Sequence, residues 1–226
     1  MSKPKKIGQC AYCSEIHPIT DDHSPPKNLF PKPRASNLIT VPCCEACRAG
    51  WSKDDEYFRV AILSSARVAE EELSQGAIDS LCRSLGRIEQ RGFAKNIMSS
   101  IEEIDIFAKS GIYLGKETAF NFDANRIDRV TQRILRGLFF HEKGYPLPSE
   151  YEVFAIIQQF GLEKFLEKLP PRIQFPEVRI IQDGIFCYTL KETQEDPNSC
   201  IWILWFFKKL PLVGCTRLPI SHRSSL

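Results

Sequence analysis

Cys10-Ala11-Tyr12-Cys13 and Cys44-Glu45-Ala46-Cys47 bracket the segment Thr20-Asp21-Asp22-His23-Ser24-Pro25-Pro26-Lys27, and these residues decide how the chain is read. Two cysteines separated by two residues form a compact knuckle that places two sulfurs on one tetrahedral zinc, and two knuckles complete its sphere. Cys10, Cys13, Cys44 and Cys47 are therefore expected to hold a structural Zn2+. The residues between the pairs are too polar and proline-rich to fold alone, so the metal would clip them into place. That clipped loop carries an acidic residue beside a histidine.

Cys10-x-x-Cys13, Asp22-His23, Asn37-Leu38-Ile39-Thr40 and Cys44-x-x-Cys47 follow one another in an order that resembles the zinc-stapled HNH endonucleases of bacteria. The resemblance is strongest over residues 10–58. It implies a ββα-metal finger, with the Asp-His pair on the first strand, an asparagine in the loop and a last metal ligand at the start of the helix. It also implies His23 as general base, Asp22 as ligand of a catalytic Mg2+ or Mn2+, and Asn37 as the residue that orients His23. One position departs from the pattern. Arg48 stands where such proteins carry asparagine or histidine, and a guanidinium has no lone pair to give a metal. Asp21, or Asp54 or Asp55 from the following helix, could supply the missing oxygen. Magnesium could equally rely on water and substrate phosphate, since it keeps several waters and takes few protein carboxylates.

Two other readings compete with metal-dependent hydrolysis of DNA. The finger could hold nucleic acid or a protein partner without cutting, with Arg48 as a phosphate clamp, or it could be purely structural. Lys27, Lys32 and Arg34 belong to a loop stiffened by prolines, which loses less entropy on meeting a phosphate backbone, or they are simply solvated. Asp54, Asp55 and Glu56 fall in the first turn of a helix expected to start at Ser52, where acids complement the helix dipole whatever else they do. His17 reads as a surface or packing residue.

With 43% hydrophobic and 26% charged residues over 226 positions, the chain has the composition of an ordinary globular protein. A net charge of +2 is too small to mark a nucleic-acid binder, so any such role must be local. The odd number of cysteines and the absence of a signal peptide fit a reducing cytoplasm. Cys43, Cys82, Cys187, Cys200 and Cys215 read as buried small apolar residues. The longest apolar run, residues 200–207, is too short to span a membrane and reads as a buried strand.

The expected architecture is α+β: a zinc-stapled finger over residues 1–75, then a helical middle and a small C-terminal antiparallel sheet over 76–226. Residues 1–9 read as a mobile basic leader. The first strand is expected at Ile16–Thr20 and the second at Leu38–Val41, ended by Pro42. Gly76 is expected to stop the first long helix, and one or two helices follow over 77–103, broken near Arg91-Gly92. A short hairpin falls at 104–114. Asp123 caps a helix over Ala124–Phe140 that buries Ile127, Val130, Ile134 and Leu138 and carries Arg126, Arg129, Arg133 and Arg136 on another face. Those arginines could grip successive phosphates or be neutralised by acids elsewhere. A helix over Glu150–Leu169 and a hairpin around Asp183-Gly184 complete the expectation.

Overall fold

The computed structural model describes residues 6–157, 167 and 174–219. The protein is α+β with antiparallel sheets. Strands β1 (Lys6–Gln9), β2 (Ile16–His23) and β3 (Thr40–Cys44) form the N-terminal sheet in the order β1-β2-β3. Helices α1 (Glu45–Arg48) and α2 (Trp51–Leu63) follow directly. Helices α3 (Ala66–Ala69), α4 (Gln75–Leu85) and α5 (Arg91–Ser99) make the middle, and β4 (Ile101–Phe107) pairs with β5 (Tyr113–Phe120) as a separate hairpin. The long helix α6 (Ala124–Lys143) leads to β6 (Glu152–Ile157), β7 (Arg179–Gln182), β8 (Phe186–Glu192), β9 (Cys200–Phe206) and β10 (Leu210–Arg217), a five-stranded sheet ordered β6-β10-β9-β8-β7.

Several local expectations are corrected. Lys6–Gln9 is not a loose leader, because its backbone pairs with Ile16–Ile19 as β1. The strand through Asp22-His23 reaches His23 itself, and β3 runs through Pro42 to Cys44. Helix α2 starts at Trp51, not Ser52: Gly50 turns the chain in the left-handed region, φ 86°, which glycine enters without strain. Gly76 lies inside α4, and α2 already stops at Leu63. The break between the middle helices falls before Arg91, and Ile88 there is exposed. Residues 152–157 form a strand where a helix was expected, because β10 offers them a pairing edge that overrides local preference. Glu150 and Tyr151 are not helical either, and the remainder of that expected helix, 158–169, lies outside the described residues save position 167. Cys43 and Cys200 are buried and Cys187 and Cys215 partly so, whereas Cys82 is exposed.

Helix α6 forms as expected. The Asp123 carboxylate accepts from the Asn125 N–H at 3.0 Å, and Ile127, Val130, Ile134 and Leu138 are all buried. They join one hydrophobic core that runs from Ala11, Leu29 and Phe30 through Phe58 to Trp202, Leu204 and Phe206. Phe206 and Phe207 in the aromatic run are also buried, while Trp205 is half-buried on the other face of β9. The Asp-Gly hairpin between β7 and β8 is present, with Gly184 at φ 75°.

The arginine face of α6 is neutralised from within. Arg126 and Arg129 both donate to Asp54, at 2.7 and 2.9 Å, Arg133 bonds Asp55, and Arg136 donates to the Tyr151 carbonyl. The acids of α2 thus serve α6 across the core. Arg126 also lies over the Tyr57 ring and Arg133 over the Trp51 ring. Burial pushes the Asp54 carboxyl up, but Arg129 and Arg126 outweigh it and hold the group below its ordinary value of 3.8. A carboxyl depressed in the folded state stabilises fully above its unfolded value and loses that contribution as pH falls through the folded one. Asp54→Asn is therefore expected to remove part of the acid dependence of stability. Melting curves of variant and wild type should converge at the acid end and separate above the ordinary carboxylate range.

The same helix packs against Ser24, the residue that follows the Asp-His strand. The buried Ser24 hydroxyl donates to the Ile134 carbonyl at 3.0 Å, and a Cβ added at Gly137 would stand 2.5 Å from Ser24 Oγ and 2.7 Å from its Cβ. Alanine in a helix interior normally gains ~1 kcal/mol over glycine. At Gly137 the clash with a fixed, buried side chain outweighs that gain, because overpacking typically costs about 1–3 kcal/mol. Gly137→Ala should lower stability in urea or heat denaturation, and an unchanged midpoint would refute this close contact.

Candidate functional site

The first knuckle is the connection between β1 and β2, and the second joins β3 to α1. The Cys10 N–H reaches the Glu15 carbonyl at 2.9 Å and the Ala11 N–H the Pro42 carbonyl at 2.8 Å, so the two knuckles are laced by backbone bonds. The β2–β3 register sets Ile19 opposite Cys44 and His23 opposite Thr40. These constraints bring the Cys10, Cys13, Cys44 and Cys47 sulfurs within 4.8 Å of one another, with Cys13 and Cys44 Sγ at 3.9 Å. Four thiolates 2.3 Å from a tetrahedral zinc stand about 3.8 Å apart, so the cage is close to that geometry.

Donor chemistry fits a soft cation as well. Burial pushes the Cys10 thiol up, but the N–H groups of Cys44, Cys13 and Tyr12 outweigh it and bring the group down to about 7. Burial pushes Cys13 and Cys47 up, and binding a metal would release their protons. The four cysteines form a group able to hold a metal ion, and no other such cluster of three or more His, Cys, Asp or Glu occurs among the described residues. Cys43, adjacent to the cage, is pushed up to about 12 by burial and is no fifth ligand in this arrangement.

Beside the cage, the end of β2, the turn after it and the first turns of α2 enclose an open cleft of about 680 Å³. Asp22, His23, Lys27, Arg48 and Asp55 line it, with Asp21, Asn28, Trp51 and Glu56. His23 is half-buried. Burial lowers its pKa from 6.5, the Lys27, Arg34 and Arg48 charges lower it further, and Asp22 opposes them. The imidazole is therefore neutral at pH 7, with a ring nitrogen free to accept a proton.

Asp22 is held from behind. Its Oδ2 accepts from the Tyr12 hydroxyl at 2.7 Å, and Tyr12 is set edge-on to Trp51, ring centres 4.9 Å apart. Arg48 folds back along β2, donating to Thr20 Oγ1 at 2.8 Å and to the Asp21 carbonyl at 2.9 Å, and comes within 3.9 Å of Asp22 Oδ1. It thus stands on the Oδ1 side of Asp22. Of the acids named as substitutes, Asp54 turns away to Arg126 and Arg129, whereas Asp55 faces the cleft with one oxygen on Arg133. Burial, with the Asp22 and Asp54 charges adding to it, pushes Asp55 up despite Arg133.

Not every expected residue converges. Asn37 is exposed, lines no part of the cleft and makes no hydrogen bond to His23. Asn28 is the amide in the cleft: it donates to Glu56 at 3.1 Å, and its buried Oδ1 has no partner. Lys27 sits on the rim, while Lys32 and Arg34 lie outside the lining, Arg34 donating to the Lys27 carbonyl. Tyr12, Trp51 and Asn28 carried no motif signal, and Arg133 was visible only as one of the arginine face of α6. No described helix is long and apolar enough to cross a membrane.

No family model, no curated protein and no solved structure matches the chain.

Replacing one sulfur tests the cage directly. Cys44→Ala should leave less than stoichiometric metal by elemental analysis of the purified chain and lower its melting temperature. A variant that melts with the wild type and is equally metal-loaded would refute a metal held by these four residues.

Proposed function

We propose that the protein is a metal-dependent endonuclease resembling the HNH group, hydrolysing phosphodiester bonds of nucleic acid, with DNA as the expected substrate. The observation that carries this reading is the half-buried imidazole of His23, without a hydrogen-bond partner among the described residues, in an open cleft beside the fixed carboxylate of Asp22. Its supports are the cysteine cage, read as a structural Zn2+ site, and the cations Lys27 and Arg48 at the rim, which suit a phosphate.

His23 would take a proton from the water that attacks phosphorus, a task for which an imidazole of near-neutral pKa is suited. The bond from phosphorus to the leaving oxygen breaks as the new one forms, and the leaving oxygen is then protonated. Asp22, with Asp55 as the other carboxylate at the cleft, would hold Mg2+ or Mn2+. When bound, such a cation supplies stabilisation of charge on the phosphate and the leaving oxygen. Asn37 has no geometric support as the orienting residue, and Asn28 is better placed in the cleft.

His23→Ala is expected to reduce cleavage of plasmid DNA with Mn2+ by at least about a hundredfold, with metal content and melting temperature retained. Undiminished cutting by that variant refutes the assignment. A second reading is favoured by Arg48, which already occupies the open side of Asp22: the finger would grip a phosphate backbone without cutting. Under it the wild type retards DNA in a gel without nicking it, and Arg48→Asn gains cleavage.

A further inference from the structure

We infer that Tyr12, the residue inside the first cysteine knuckle, is a positioning residue that fixes the Asp22 carboxylate for cation binding, so that the metal cage sets the geometry of the neighbouring cleft. This rests on the endonuclease reading. Tyr12 lies between two of the four cage cysteines, so its backbone is placed by the cage itself. From there its side chain crosses to β2 and donates to Asp22 Oδ2 at 2.7 Å.

Two neighbours border the ring, Trp51 and the α6 backbone at Gly137. Trp51 stands edge-on to it, and the Trp51 ring in turn carries the Arg133 guanidinium at 4.4 Å. On the α6 side, Gly137 leaves room for the phenol: a Cβ there would come to 3.4 Å of the Tyr12 oxygen. The hydroxyl is the donor of this pair, since an ionised carboxylate can only accept. One oxygen of Asp22, a residue that lines the cleft, is thereby committed, and among the described residues the other has only the ion pair with Arg48 at 3.9 Å. A carboxylate pinned through one oxygen presents the other at a fixed place, which is how outer-shell hydrogen bonds orient a metal ligand.

The test uses the full, zinc-loaded chain and Mn2+ alone, with free Mn2+ followed by electron paramagnetic resonance. Tyr12→Phe removes one oxygen and keeps the ring contacts. The expected result is Mn2+ binding about 10 to 100 times weaker than in the wild type, with the content of cage metal unchanged. In cleavage assays the loss should appear in kcat at limiting Mn2+, be recovered by raising Mn2+, and leave KM for DNA as it was. A merely structural hydroxyl would not make the defect depend on cation concentration.

A second pair of variants guards against an indirect effect. Tyr12→Phe/Asp22→Asn should bind Mn2+ no more weakly than Asp22→Asn alone, because a donor that acts through Asp22 has nothing left to act on. A further tenfold loss in the double variant overturns the inference. Equal Mn2+ binding by Tyr12→Phe and a wild type that cuts overturns it while sparing the endonuclease reading. A wild type that binds no Mn2+ and cuts no DNA sinks both.

Discussion

The Cys10, Cys13, Cys44 and Cys47 sulfurs lie within 4.8 Å of one another, and a metal ion held by them would tie the connection between β1 and β2 to the junction of β3 and α1. Between them the chain runs through prolines and charges, with little apolar surface to hold it. Leu29 and Phe30 are its main anchors, both buried, Phe30 edge-on to Phe186 of β8. The knuckles fix the two ends of the loop and the sheet core fixes its middle. His23, half-buried at the end of β2, and Lys27, exposed just beyond the buried Ser24, Pro25 and Pro26, both line the cleft there.

The finger does not stand apart from the rest of the chain. Ser24 is pressed onto α6 at Gly137, Asp54 and Asp55 bind the arginines of α6, and Tyr57 accepts from the Asp123 N–H at 2.6 Å. These contacts cross residue 75, where the finger was expected to end. Their energetic weight differs. Arg133 and Asp55 are largely buried, and removing either partner leaves an uncompensated charge, a loss of about 3–5 kcal/mol in comparable pairs. The Arg129–Asp54 pair has its arginine mostly exposed and contributes far less. The buried pair is therefore the one that links α6 to the cleft.

Spacing made the cage legible before any coordinates: two Cys-x-x-Cys pairs have few other uses, and backbone geometry makes their convergence a local matter. Helix α6 was legible for the same reason, since its cap and its apolar period lie within one stretch. What was not legible depends on partners distant in sequence. Residues 152–157 become a strand only because β10, some sixty positions later, supplies an edge. Nothing near Asp54 announces that its partners are Arg126 and Arg129. Tyr12 lay in plain view in the first knuckle, yet an aromatic there reads equally well as packing until Asp22 is seen beside it. Asn37 had its expected role only from the family resemblance, and the fold leaves it exposed while Asn28 lines the cleft.

Arg48 is the residue on which the two functional readings divide, and the magnitudes bear on it. Its approach to Asp22 is 3.9 Å with the arginine side chain 46% exposed, the regime in which an ion pair contributes ~0–1 kcal/mol. Its firmer bonds are to Thr20 Oγ1 and the Asp21 carbonyl, which hold the guanidinium along β2 without needing the carboxylate. A divalent cation arriving at Asp22 would therefore displace a weak contact, and Arg48 could keep both stronger bonds while turning its remaining donors toward a phosphate. In that arrangement the substitution removes a ligand and adds a clamp. The cation would then depend on Asp22, water and substrate oxygen, a set that magnesium accepts, with Asp55 adding the second carboxylate only if Arg133 yields one of its bonds. Charge at the cleft is balanced in the same sense: the floor is acidic at Asp22, Asp55 and Glu56, the rim basic at Lys27 and Arg48. A polyanion alone would meet repulsion from that floor, whereas a polyanion carrying a divalent cation meets complementary charge at both levels.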